Sequence, residues 1–305
     1  MRGAWAAPVV ALALLLPQGG ADKLREIPAP PYTVRYPPEL SREAQQVADA
    51  VPAVVERITR ELDAPPLPAS ILYLIPEIAS LPGTDLASAM PEWAAGIAMP
   101  EAHLVVIRPE RVPAYTQRRL VGVLAHETAH LVAYEAAGRG AGLMPPWFRE
   151  GVAGTLARDG EWMDFVVLWL SAVPSSPRPL RQLDECFSAA GSSVQRKAAY
   201  AGSFSFLQLV EQRHGAGFPA RVLAGLRAGL DFEAAWAGGA GDVSLSQDEQ
   251  AWSVSLQGRM RWIAVLTSTF TLWTAITLLV VLAYLWKRRR GRRLMETWRE
   301  DEPFD

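Results

Sequence analysis

Apolar and polar positions change period several times along this chain, and each change marks an element. Pro28 to Pro38 is proline-rich and extended, and it leads into a helix near Ser41 to Leu62. Ile71-Leu72-Tyr73-Leu74-Ile75 is a short apolar run of branched and aromatic residues, the pattern of a buried strand. Ala94 to Ala98 and His103 to Ile107 are two further short runs separated by Met99-Pro100-Glu101-Ala102, which predicts a hairpin-like pair. From about Gln117 to Ala137 the chain is apolar almost all round, with little charge except near the ends, at Arg118, Arg119 and Glu135. That pattern predicts a helix buried on nearly every side. Pro145-Pro146 suits the start of another helix, and the chain beyond it is mostly helical, including a helix ending at His214-Gly215. The fold class expected is α+β, a small mixed sheet followed by a mostly helical half.

The two ends have a different character. Met1-Arg2, an apolar stretch from Ala4 to Leu16 and the small residues up to Ala21 have the form of a secretory signal peptide, residues 1–21. From Trp262 to Trp286 no residue is charged, and Arg261 and Lys287 bracket the run. A stretch of that length is enough to span a bilayer, with tryptophans where an aromatic belt belongs. Lys287-Arg288-Arg289-Arg290-Gly291-Arg292-Arg293 comes next, and such a cluster stays cytoplasmic. The division expected is therefore a signal peptide at 1–21, a soluble domain at 22–236 and a flexible juxtamembrane linker at 237–261. A transmembrane helix at 262–286 and a basic, then acidic, cytoplasmic tail at 287–305 complete it. Trp162 to Leu170 is apolar but too short to span, and reads as core or as the lining of a cleft.

Charge and cysteine narrow the function classes. A net charge of −2 gives no bulk attraction to a polyanion, and the basic cluster abuts an apolar span, so contact with anionic headgroups accounts for it without nucleic acid. The single cysteine, Cys186, permits no intramolecular disulfide.

The chemistry concentrates in His126-Glu127-Thr128-Ala129-His130. On a helix, histidines at i and i+4 share a face and can grip one zinc ion from one side. The glutamate between them can reach a water on that ion. The plain alternative is a buried polar helix, but such a helix still needs partners for three polar side chains. A third protein ligand is required. The extension H-E-x-x-H-x-x-G-x-x-H is excluded, because Ala133 and Ala136 stand at its glycine and last histidine. Glu150, just inside the helix that Pro145-Pro146 opens, has two readings: a ligand from a second helix, or a solvated carboxylate favoured by the helix dipole. Gly151 and Gly154 leave one side of that helix without bulk, so that it could approach the first closely.

H-E-T-A-H with Trp147-Phe148-Arg149-Glu150-Gly151-Val152-Ala153 downstream resembles the gluzincin peptidases of the thermolysin-like MA clan, and most of all the small bacterial peptidase MA-like domains. The resemblance runs from roughly Ala69 to Gly215, about half the chain. It implies a thermolysin-like zincin domain in which His126, His130 and Glu150 bind zinc and Glu127 is the general base. It also includes a tyrosine opening a later helix, which points to Tyr200 as a donor to the oxyanion; an interfacial packing role is the alternative. His214, directly before a glycine, is more naturally a helix C-terminal residue than an oxyanion donor. Related enzymes bind substrate as an added strand along the sheet edge, and Gly96 and its neighbours are candidates for that edge, an ordinary hairpin with no ligand role being the alternative. His103 reads as a strand-end or surface residue and not a ligand.

Taken together, the sequence leads to the expectation of a single-pass zinc metallopeptidase, its catalytic domain outside the cytoplasm and its substrate a peptide or protein of the envelope. A zincin-fold scaffold without turnover is the competing expectation. Oligomeric state and cleavage specificity are not legible.

Overall fold

The computed structural model describes residues 24–76, 94–112, 118–157, 179–187, 193–266, 273–274 and 276–288. The expected signal peptide, the apolar run from Trp162 to Leu170 and the charged tail from residue 289 onward lie outside the described residues. The fold is mixed α and β, as the change of period from strand to helix indicates. Contacts divide the chain into two units, the first reaching Trp252 and the second taking in the chain from Ser253 onward.

The first unit opens with β1 (Arg25–Ala29) and β2 (Tyr32–Tyr36), an antiparallel pair turning at Pro30-Pro31. Helix α1 (Ser41–Glu61) comes next and buries Ala44, Val47, Ala48, Val51, Val54 and Ile58, a stripe at three- and four-residue spacing. Beyond it lie β3 (Ser70–Leu74), β4 (Gly96–Met99) and β5 (Leu104–Ile107), the last two forming the expected hairpin. The sheet order is β1-β2-β3-β5-β4, with β2, β3 and β5 parallel and both outer strands antiparallel to their neighbours. One edge of the sheet is thus β4, where Gly96 lies. The central strands bury both faces: Tyr73, Ile75, Leu104 and Val106 form one apolar cluster, while Leu72, Leu74, Val105 and Ile107 are buried on the other side. This second face, continued by Tyr32 and Val34 in register with Ser70 and Leu72, looks toward the metal-motif helix, since Tyr32 bonds to that helix.

That helix is α2 (Arg118–Ala137), within a residue of its expected start. Its last carbonyls accept hydrogen bonds from Arg227, at 2.9 Å for Ala136 and also at Glu135. After it come α3 (Pro146–Leu156), α4 (Leu180–Cys186), α5 (Ser193–His214), α6 (Phe218–Arg227), α7 (Phe232–Gly239) and α8 (Leu245–Leu266). An aromatic cluster of Trp147, Phe148, Phe206, Phe232 and Trp236 packs α3, α5 and α7 together, with Phe206 and Trp236 stacked at 5.6 Å.

Residues 237–261, expected as a flexible linker, are largely helical: α7 ends at Gly239 and α8 begins at Leu245. The reason is Asp248, which is wholly buried and receives the Trp236 indole at 3.1 Å and the His214 imidazole at 3.0 Å. A carboxylate with those donors ties α8 to α5 and α7. Glycines at Gly238, Gly239 and Gly241 suggested a break, and only Gly241, at φ +66°, is used as one. In the second unit, residues 273–274 and 276–288 are helical and Ile276, Leu278 to Leu282 and Tyr284 to Trp286 are exposed. Among the described residues no helix is long and apolar enough to cross a membrane; residues 267–272 and 275 of the expected span lie outside them.

Candidate metal centre

Helix periodicity brings His126 and His130 to one face of α2, and their Nε2 atoms are 3.3 Å apart. Glu150 stands in the second turn of α3, and its Oε2 is 3.4 Å from His126 Nε2 and 3.5 Å from His130 Nε2. The three donors form a nearly equilateral triangle. A tetrahedral ion with zinc-like bond lengths spaces its donors about 3.3–3.5 Å apart, so the residues present fit such an ion. Two further features agree with the fit. Glu150 Oε2 is buried without a hydrogen-bond partner, an orphan that a cation would satisfy. The side chains of His126, His130 and Glu150 are 25%, 15% and 20% exposed, so the group lies partly buried and not on the open surface. Among the described residues this is the one group of three or more His, Cys, Asp or Glu side chains able to hold a metal ion. Two nitrogens and one carboxylate oxygen suit several divalent metals.

Burial pushes the Glu150 carboxyl upward, but the adjacent His130 and His126 outweigh it and hold the group well below the usual carboxylate range. Glu127 behaves oppositely. Burial raises it, His126 opposes, Glu150 adds to the rise, and the carboxyl is pushed up to about 7. The site thus pushes its two glutamates in opposite directions.

Glu127 is buried against the edge strand. A Cβ built on Gly96 would lie 2.8 Å from Glu127 Cγ and 2.9 Å from its Cδ. Gly96 was legible as part of a strand, but its contact with Glu127 was not. Tyr200, on α5, stands with its ring centroid 6.5 Å from that of His126 and packs edge-on to Phe187 at 5.0 Å. The structure therefore brings Tyr200 to the site and also gives it a packing partner. Burial, then the Glu150 and Glu127 carboxylates, push its phenol well above its ordinary range, so it remains a donor.

Other sequence expectations fall differently. Gly151 and Gly154 do not face α2: their missing side chains make room for Ser203, Phe204 and Leu207 of α5. The bare side of the ligand helix thus meets the helix that carries Tyr200. His214 pairs with Asp248 and lies against Phe218. His103 occupies the left-handed turn residue between β4 and β5, with Nδ1 3.7 Å from Glu135. Cys186 is buried, and its thiol donates to the Gln182 carbonyl at 3.3 Å.

Tyr32 is a contributor that the motif did not announce. Its hydroxyl is 3.2 Å from Oγ1 of Thr128, which is fully buried inside the His-Glu-Thr-Ala-His run. Alternation of Tyr32, Val34 and Tyr36 with Thr33 and Arg35 carries a strand signal; nothing local tells which helix that strand will touch.

Compared with known proteins, the chain matches no family model and no curated sequence.

Proposed function

We propose that this protein is a gluzincin-type zinc metallopeptidase with a thermolysin-like zincin fold. The observation that carries the reading is the donor triangle of His126, His130 and Glu150 with Glu127 buried beside it. These residue types at these positions also reproduce the paired motifs that the resemblance rests on. Zinc held there would supply Lewis-acid activation of water and of a peptide carbonyl. His126 and His130 would hold it through their Nε2 atoms and Glu150 through Oε2. Glu127 accepts a proton from the attacking water and returns it to the leaving amine nitrogen. Tyr200 donates a hydrogen bond to the oxygen that gains negative charge in the transition state. Edge strand β4, with Gly96 at the Glu127 end, offers its backbone to an extended substrate.

The proposed placement is outside the cytoplasm, tethered by the segment from Trp262 to Trp286, with envelope peptides or proteins as substrates. Support comes from the uncharged composition of that segment, the exposed apolar side chains from Ile276 to Trp286, and the basic cluster beyond them. Tethering confines the enzyme to targets at that surface.

The test is metal stoichiometry on the purified chain, alongside Glu150→Gln and Glu127→Gln variants. One tightly held zinc in the wild type, weakened by Glu150→Gln and kept by Glu127→Gln, is the expected result. Glu127→Gln then abolishes hydrolysis of a denatured protein mixture. No zinc in any of the three after purification in its presence overturns the reading. Zinc without hydrolysis, and full cellular function in Glu127→Gln, would favour a non-catalytic scaffold.

A further inference from the structure

Helix α3 supplies the last member of the donor triangle, and each of its ends is hydrogen-bonded to a side chain of a distant element. Its N-cap is Pro145, which makes no side-chain hydrogen bond, and Pro146 at the first position has no N–H. The first N–H left over is that of Trp147, and Asp184 Oδ1 on α4 accepts it at 2.9 Å. At the other end, Arg57 of α1 donates from Nη1 to the Leu156 carbonyl at 2.8 Å. A carboxylate at the N-terminus and a guanidinium at the C-terminus each satisfy a group the helix leaves open, and both signs match its dipole.

The same device recurs one element on. Helix α4 also begins after a proline, Pro179, with no side-chain cap of its own. Its Leu180 N–H donates to Glu249 Oε1 of α8 at 2.8 Å. Two helices that open on prolines are therefore each capped by a carboxylate from a distant element, and the two caps stand in series: Glu249 holds α4, and α4 carries Asp184 to α3.

The sides of α3 are held by packing: Trp147 and Phe148 enter the aromatic cluster with Phe206 and Trp236, and Ser203 and Leu207 of α5 close on Gly151. The hydrogen bonds at its two ends act along the helix axis and add to that packing. The donor triangle tolerates little axial shift, since its edges are 3.3, 3.4 and 3.5 Å.

We propose that Asp184, Arg57 and Glu249 are positioning residues for the metal centre, fixing α3 along its axis so that the Glu150 carboxylate meets the two histidine nitrogens. The inference rests on the zinc-site reading. It extends the functional unit to residue 249, well past the sequence motifs, and makes α8 part of the apparatus that holds the metal.

The experiment measures the zinc dissociation constant of the full chain by competition with a chelator. Asp184→Ala weakens binding about tenfold or more, the scale on which supporting hydrogen bonds act on metal sites. Glu249→Ala weakens it in the same direction and by less. Asp184→Asn and Glu249→Gln, which keep a carbonyl acceptor, recover most of the affinity. In cobalt-loaded protein, the visible absorption of the two alanine variants differs from wild type, reporting altered coordination. Val106→Ala, a core truncation on the sheet face turned away from α2, serves as control and lowers the thermal midpoint without changing the dissociation constant. If Asp184→Ala does not fold, Arg57→Met releases the opposite end and takes its place. Wild-type affinity in the alanine variants, or a loss no greater than Val106→Ala gives at equal destabilisation, overturns the positioning role and leaves the peptidase reading standing. Absence of zinc from the wild type removes both together.

Discussion

Gly96 on the edge strand and Glu127 on the metal-motif helix are in such close contact that a single added carbon would overlap the glutamate side chain. The would-be Cβ lies 2.8 Å from Glu127 Cγ. Gly96 has an ordinary backbone conformation, so its substitution acts through this contact alone. Gly96→Ala should displace Glu127 and reduce turnover on the order of 10²-fold, while zinc content stays that of wild type. Unchanged turnover would show that Glu127 has room to move aside.

Tyr200 separates into its two roles on removal of one oxygen. Tyr200→Phe keeps the edge contact with Phe187 and loses the donor. Turnover number should fall by roughly 10²-fold or more with little change in KM, and the thermal midpoint should hardly move. Retained turnover would assign the residue to packing.

Tyr32 and Thr128 join the first hairpin to the metal-motif helix through one buried hydrogen bond. Tyr32→Phe leaves the Thr128 hydroxyl without this partner and should cost about 1–3 kcal/mol. The low end applies if Thr128 turns to a carbonyl of its own helix. Denaturant unfolding of Tyr32→Phe, Thr128→Val and the double variant measures the coupling, and strict additivity would mean that the pair does not interact.

Asp248 holds α8 to the domain through His214 and Trp236, with Arg213 Nε at 3.3 Å. Removing the carboxylate strands buried donors, so Asp248→Ala should destabilise the fold by roughly 3–5 kcal/mol. A chain ended at Trp236 loses the same contacts together with Glu249 and Trp252, and should be recovered unfolded, whereas one ended at residue 258 should fold. Circular dichroism of the two truncations decides, and a folded shorter form would show that α8 is dispensable.

The sequence determined much of this by local rules. Apolar spacing located α1 and α2 to within a residue or so, and continuous branched runs located β3 and the β4–β5 pair, because burial of a face leaves its period in the chain. The same spacing put His126 and His130 on one side of α2, since a helix fixes residues four apart. Tertiary structure decided what no local pattern encodes. Glu150 is a ligand candidate in the sequence, but it meets the two histidine nitrogens only because α3 packs on α2, and the glycines beside it face α5, because a glycine signals an absent side chain without saying which neighbour fills the space. Residues 237–261 looked like a linker from their glycines, yet the buried carboxylate of Asp248 converts their second half into a structural helix. Asp184, Arg57 and Glu249 are ordinary surface charges when read along the chain. Their partners lie 37, 99 and 69 residues away, and hydrogen bonds of that range form only after the chain has folded.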